Sequence, residues 1–294
     1  YSISIVALIL IGIPFCAGLS VILIISAKKN NCHRPFCGIV FHQVSVRPRW
    51  GVSHYSAGAF GQVIETLQSK GQISCTVSQA ATALKHHNSA APPLFCISFD
   101  DGFQDFYNLV LPLLDKCRHK VTLFPIAGYI GKTAAWDVFP PQTHCTASQV
   151  RLIAESGHEI GSHSLTHPDL TMLENKDLKK ELEESKKTIE DIIGKEVVSI
   201  SFPYGKWNNR IWRTARECGY TCAASYGFSG QPGNGIFPMT GVYSFDSPEA
   251  IFEKAGDFSA FSPVYAQSRI MPHFAKGSTV WKFRSNYSFR NSTS

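Results

Sequence analysis

The sequence predicts an α/β domain in which a mainly parallel sheet is flanked by helices. Three observations carry this. From Gly38 to about Ala224, short apolar runs suited to buried strands alternate with segments of helical periodicity. The chemically conspicuous residues fall just past the ends of those runs: Asp100-Asp101, His163 and Tyr204. Strand C-terminal ends are where α/β barrels carry functional groups. No Gly-x-Gly-x-x-Gly follows the first strand, which argues against a dinucleotide site. An open doubly wound sheet and a closed barrel both satisfy the alternation.

The first element is an uncharged run, Ile3 to Ile25, rich in Ile, Leu and Val. As a helix it reaches roughly 34 Å, enough for a hydrocarbon core of about 30 Å. Gly12 and Pro14 are tolerated in a membrane helix. A cleaved signal peptide is the rival, but its apolar core is shorter, about 7–15 residues. Residues 1–27 are therefore expected to be a transmembrane anchor, and 28–37 a juxtamembrane linker. Lys28, Lys29 and Arg34 follow it; by the positive-inside tendency they favour a cytoplasmic C-terminal side.

Gly38–Phe41 reads as a short strand leading to His42. Phe60, Val63, Ile64 and Leu67 recur at helical spacing over 57–69, and Gly71 follows as a stop. Ser89–Pro93 is a loop. Leu94–Phe99 is a continuous apolar run, suited to a strand buried on both faces. A helix is expected over Phe106–Lys116, perturbed by Pro112, then a buried strand over Val121–Ile126.

Thr146-Ala-Ser-Gln149 fits a capping box, opening a helix that ends at Gly157. His158–His163 is the next strand. Asn175 is expected to cap an amphipathic helix with Leu178, Leu182, Ile189 and Ile193 on one face and Gly194 past its end. Its charges, Glu181 among them, read as a solvated face. Val197–Phe202, a helix over 208–217 and Tyr220–Ala224 continue the pattern. From Val264 to Ser294 the chain is polar and basic with little pattern, a tail of 264–294 behind a domain of 38–263.

Composition bounds the function. The 294 residues are 44% apolar and 17% charged, so a sizeable core is expected. A net charge of +6 without long Lys/Arg runs gives no nucleic-acid footprint. Nine cysteines show only loose zinc-ribbon spacings, Cys32/Cys37 and Cys218/Cys222.

The chemistry sits in three segments. Ser98-Phe99-Asp100-Asp101-Gly102 ends a strand with two carboxylates. Neighbours on a strand point to opposite faces, but a turn at Gly102 lets both face one pocket. Alone, Asp-Gly is also an ordinary turn signal. His163-Ser164-Leu165-Thr166-His167 sets two histidines four apart, and Pro168 disfavours helix at His167, so a turn is expected. Two His and one carboxylate is a common catalytic zinc set. Ser201-Phe202-Pro203-Tyr204-Gly205 again follows a strand; alone it reads as a simple strand-ending turn, and beside the other two segments it suits a backbone N–H aimed at an oxyanion.

In order and spacing these three segments resemble the first three motifs of the NodB-homology polysaccharide deacetylases, the family-four carbohydrate esterases. Phe41-His42-Gln43-Val44, Ala127–Gly131, Gly157–His163 and Pro168–Thr171 extend the resemblance, which runs from about Gly38 to about Asp246 with core motifs over 93–246. It implies a distorted (β/α) barrel with fewer than eight strands. It implies that Asp101, His163 and His167 bind a divalent metal, commonly zinc. Asp100 is then the general base, and the Tyr204 backbone N–H helps hold the oxyanion. The implied partner is an N-acetylated polysaccharide, and the implied location is membrane-anchored with the domain on the extracytoplasmic side, against the charge pattern at Lys28 and Lys29. Two departures stand out. Ser201 occupies the position where the family often has an arginine. The only late histidine for a general acid is His273. A glycan-binding protein on the same scaffold and a small-amide deacylase are the alternatives.

Overall fold

The computed structural model describes residues 38–47, 52–85, 95–134, 142–226 and 234–255. The segment Ile3–Ile25, the linker 28–37, the loop Ser89–Pro93, His273 and the tail 264–294 lie outside the described residues. Among the described residues no helix is long and apolar enough to cross a membrane.

The elements in chain order are β1 (Gly38–Phe41), β2 (Gln43–Ser45), β3 (His54–Ser56), α1 (Ala57–Ser69), β4 (Ser74–Cys75), α2 (Val77–Lys85) and β5 (Phe95–Asp101). Then come α3 (Leu111–Leu114), β6 (Thr122–Pro125), β7 (Thr133–Ala134), β8 (Gln142–Thr143), α4 (Ala147–Glu155), β9 (Glu159–Ile160) and α5 (Asn175–Ile193). Last are β10 (Ser199–Ser201), α6 (Asn209–Glu217), β11 (Cys222–Tyr226), β12 (Ile236–Gly241) and α7 (Pro248–Ala255).

The main sheet runs β10-β11-β12-β1-β5-β6-β9, with β4 beside β5, and every one of its pairs is parallel. Its two ends meet. Ser162 bridges Ile200, the Ser162 N–H donating to Ser199 O at 3.0 Å and the Ser201 N–H to Ser162 O at 2.9 Å. The sheet is thus a nearly closed barrel, and the open alternative is set aside.

β5 shows why the apolar run reads as buried on both faces. Phe95, Ile97 and Phe99 face the helices; Cys96 joins the interior cluster of Val40, Phe124, Cys222, Ala224, Phe237 and Met239. Outside, Phe41, Phe60 and Phe99 pack ring to ring at 5.2–5.6 Å. Burying each such ring contributes about 1.5–3 kcal/mol. Val77, Ala80 and Ala81 of α2 complete the interior cluster, and α2 closes the barrel at the N-terminal ends of its strands.

Several local expectations meet their physical limits here. The capping box forms as read: Thr146 accepts from the Gln149 N–H at 3.2 Å and Gln149 accepts from the Thr146 N–H at 2.9 Å. Gly194 ends α5 at φ 65°. Asn175, however, is the first helical residue, and the cap position is Glu174, which makes no side-chain capping bond. Asn175 instead accepts from Arg210 at 3.0 Å. Over 106–116 the chain forms a π turn, Phe106–Val110, before α3. That wider turn accommodates Pro112, which has no N–H to give. The strand expected over His158–His163 is regular at Glu159–Ile160, and its bonds to the chain of β6 continue beyond it, the Gly161 N–H donating to Leu123 O at 2.9 Å and the His163 N–H to Pro125 O at 3.0 Å.

Candidate active site

The strand C-terminal ends converge on one cluster. At the end of β5, Asp100 sits opposite Phe124 and Asp101 opposite Pro125. Regular alternation would send the two carboxylates to opposite faces. Asp101 escapes this by adopting φ 68°, a left-handed conformation costly for a residue with a Cβ. Gly102 follows at φ 72°, where a Cβ would lie 2.7 Å from Pro125 Cα, so only glycine fits. Three donors fix this turn. His144 Nδ1–H donates to Asp101 O at 2.9 Å, the Cys145 N–H to Gly102 O at 2.9 Å, and the Ile126 N–H to Asp101 O at 3.4 Å.

His163 follows the barrel-closing bridge. Its Nδ1–H donates to Ser201 O at 2.8 Å, which turns Nε2 toward Asp101 Oδ1 at 3.6 Å and Asp100 Oδ2 at 3.8 Å. The chain then turns, as Pro168 led us to expect. Ser164 and His167 have φ of 64° and 62°, and the His167 N–H donates to Ser164 Oγ at 3.0 Å. Glu181 of α5 clamps this turn, accepting from the N–H groups of Leu165 and Thr166 at 3.0 and 2.9 Å and from Thr166 Oγ1 at 2.6 Å. Glu181 is thus no part of a merely solvated face. The turn brings His167 Nε2 to 3.7 Å from Asp101 Oδ1.

Ligand atoms of Asp101, His163 and His167 lie within 4.8 Å of one another, and all three residues are buried. Burial pushes both imidazoles below their usual pKa, toward the neutral form that binds metals. With Nδ1 of His163 committed to a backbone carbonyl, its Nε2 is oriented as a ligand. This set fits a divalent cation. Cys218 and Cys222 are free thiols outside any such group, and Cys32 and Cys37 lie outside the described residues.

The opposite wall holds Asp100, which is fully buried. Ser201 Oγ–H donates to its Oδ2 at 2.9 Å and the Tyr226 hydroxyl to the same oxygen at 3.3 Å. Oδ1 is buried with no hydrogen-bond partner among the described residues. Desolvation raises the Asp100 pKa to about 6, against the lowering pull of His42, Ser201 and Tyr226. The Tyr226 oxygen also lies 3.2 Å from His42 Nε2, at the end of β1. Tyr204, in a 3₁₀ turn after β10, takes φ 59°, and its ring centroid sits 4.7 Å from that of His167. The four non-glycine residues with positive φ among the described residues, Asp101, Ser164, His167 and Tyr204, all belong to this cluster.

The sequence motifs therefore come together in space. Sequence reasoning passed over His144, Glu181 and Tyr226, and gave His42 no role. His42 carried a signal in the Phe41–Val44 match; Tyr226 carried none, lying beyond the predicted strand Tyr220–Ala224.

Residues 87–223 match the family model described as polysaccharide deacetylase. YxkH of Bacillus subtilis, whose name carries that designation, is 29% identical over 154 residues, covering 52% of each chain. A chitooligosaccharide deacetylase of Sinorhizobium fredii is 28% identical over 133 residues, 45% of this chain and 55% of the relative. The chain spans about half the length of the curated relatives it matches. Among solved structures, the Streptococcus pyogenes deacetylase PplD superposes with a TM-score of 0.67 at 20% identity, covering 76% of this chain and all of that one. IcaB from Ammonifex degensii gives 0.60 at 19%, covering 76% and 98%. These two likenesses establish the shared barrel. Through the segment that carries these matches, the chain is similar to the polysaccharide deacetylase family.

Proposed function

We propose that this protein hydrolyses N-acetyl groups on an N-acetylated polysaccharide, releasing acetate and leaving a free amino sugar. One observation carries the reading. Asp100 has one oxygen held by two hydroxyls and the other buried and unpartnered among the described residues, beside a His2Asp ligand set. A carboxylate oriented by neutral hydroxyl donors, with Oδ2 3.8 Å from His163 Nε2, is placed as a general base.

Asp101, His163 and His167 would hold the metal, for which zinc suits the donors. When bound, a divalent ion supplies Lewis-acid polarisation of an acyl oxygen and lowers the pKa of water from 15.7 toward roughly 7. Asp100 takes a proton from the attacking water. The Tyr204 backbone N–H stabilises the developing oxyanion; losing one such donor costs about 2.7–4 kcal/mol of barrier. His42, linked to Asp100 through Tyr226, is placed to give a proton to the departing amine, the role the sequence had left to His273. We further propose a membrane-anchored enzyme, a reading supported by the apolar run Ile3–Ile25, with its domain on the extracytoplasmic side, where such a polymer lies, against the charge pattern at Lys28 and Lys29.

The test is acetate release by the full chain from chitin oligomers, poly-N-acetylglucosamine and peptidoglycan. It is run metal-loaded, chelated, and with Asp100→Asn. Metal-dependent release abolished by the substitution is expected. Tight metal binding with no acetate from any polymer would replace this reading with glycan binding or small-amide hydrolysis.

A further inference from the structure

Ser201 leaves Asp100 without the arginine its position often carries, so the base must be held by something else. The donors that reach its Oδ2 are two hydroxyls, from Ser201 and Tyr226. We propose that Tyr226 is the positioning residue of this site, its single hydroxyl fixing both the base Asp100 and His42 across the barrel mouth. The proposal rests on the deacetylase reading given above.

The geometry leaves little freedom. A phenol has one proton and two lone pairs. A carboxylate can only accept, so the Tyr226 proton points to Asp100 Oδ2. The phenol oxygen must then accept from His42 Nε2, which places a proton on that nitrogen. One side chain thereby holds the Asp100 carboxylate in place and settles which His42 nitrogen bears hydrogen. It is half-buried, and it packs beneath Gly205, where a Cβ would stand 2.4 Å from Tyr226 Cβ. Gly205 is thus glycine for a second reason besides its φ of 61°: it lets β11 bring the tyrosine under the turn that carries Tyr204. The contact joins β1, β5 and β11, residues separated by 126 and 184 positions in the chain.

Tyr226 touches Asp100 and His42 rather than a reacting atom, so its loss should slow turnover without weakening substrate binding. Full-length wild type, Tyr226→Phe, Ser201→Ala, the double variant and Asp100→Asn are compared for acetate release from N-acetylglucosamine polymer, together with melting temperature. Phenylalanine keeps the ring beneath Gly205, so the fold should hold. We expect Tyr226→Phe to lower kcat about 10- to 100-fold, the range for a hydrogen bond to a charged group, with KM within about twofold. In the Ser201→Ala background the same change should cost more than it does alone, since both donors to one oxygen are then gone. If the Phe variant melts early, kcat measured well below its own midpoint keeps the comparison valid. A Phe variant with wild-type kcat, or with raised KM alone, beside an inactive Asp100→Asn overturns this assignment and spares the deacetylase reading. A wild type that releases no acetate, or an Asp100→Asn that still does, overturns both.

Discussion

At the N-terminal end of the barrel, the Glu159 carboxylate meets the first turn of α2. Its Oε2 accepts from the Ser78 N–H, Ser78 Oγ and Thr122 Oγ1, each at 3.0 Å. His119 and His158 sit nearby, their Nδ1 atoms accepting the N–H groups of Ser74 and Val121 at 3.1 and 3.4 Å. At the C-terminal end the same residue types meet under different terms. Asp100 and Asp101 share a few ångströms with His163 and His167, and four backbones are held at positive φ. The lower cluster spends its charge on donors of its own chain and stabilises the plug. Each end has one buried carboxylate oxygen without a hydrogen-bond partner among the described residues, Glu159 Oε1 below and Asp100 Oδ1 above, but the backbone strain belongs to the upper cluster, as in a preorganised site.

The comparison breaks most directly at Asp100. Asp100→Asn should cost roughly 10²–10⁴-fold in acetate release, the usual range for a general base. Because it removes a fully buried carboxylate whose pKa stands raised near 6, melting temperature should hold or rise. A large fall in melting temperature would mean that Asp100 serves structure, and the contrast between the two ends would vanish.

The lower histidines give a pH test. Burial depresses the His158 pKa from 6.5 to about 4, and lowers that of His119. Both accept an N–H, so the folded protein needs them neutral. Between about pH 6.5 and 4 the unfolded chain binds the proton that folded His158 refuses, so stability is full above that window and falls as pH drops through it. His158 alone should contribute a loss of about 3 kcal/mol, since each pKa unit is worth about 1.36 kcal/mol. Urea midpoints from pH 7 to 4 measure it, and His158→Asn should flatten the slope.

Glu159→Ala should cost about 2 kcal/mol by removing charge-assisted bonds at a helix start, while kcat stays at the wild-type value well below the melting point. A specific loss of kcat at full stability would show that the two ends are coupled.

Legibility followed the range of each interaction. β5, β6 and the α4 capping box are written in consecutive residues. Residues 72–85 gave no signal, because β4 has two residues and α2 buries only Val77, Ala80 and Ala81, too small to make an apolar stripe. β12 and α7 went unread for want of a motif near them. Asp100, Asp101, His163 and His167 stood out through local spacing. The link from His42 through Tyr226 to Asp100 could not, since it exists only once the barrel closes.

Glu181 sharpens the same point at the smallest scale. Its neighbours on α5, Lys179–Glu183 and Lys180–Glu184, are exposed i,i+4 pairs of the kind worth a few tenths of a kcal/mol. Glu181 instead holds the two N–H groups and the hydroxyl of the turn between His163 and His167. That turn needs left-handed backbones at Ser164 and His167, which cost energy unless the surroundings impose them. Removing the clamp should let His167 drift from Asp101 while the rest of the barrel stands. Glu181→Ala is expected to weaken metal affinity about 10-fold, the lower end for a residue that orients a ligand. Glu183→Ala, one turn face away, should leave it unchanged. Chelator competition with zinc reads both. Equal affinities in the two variants would return Glu181 to the solvated face that its sequence suggested.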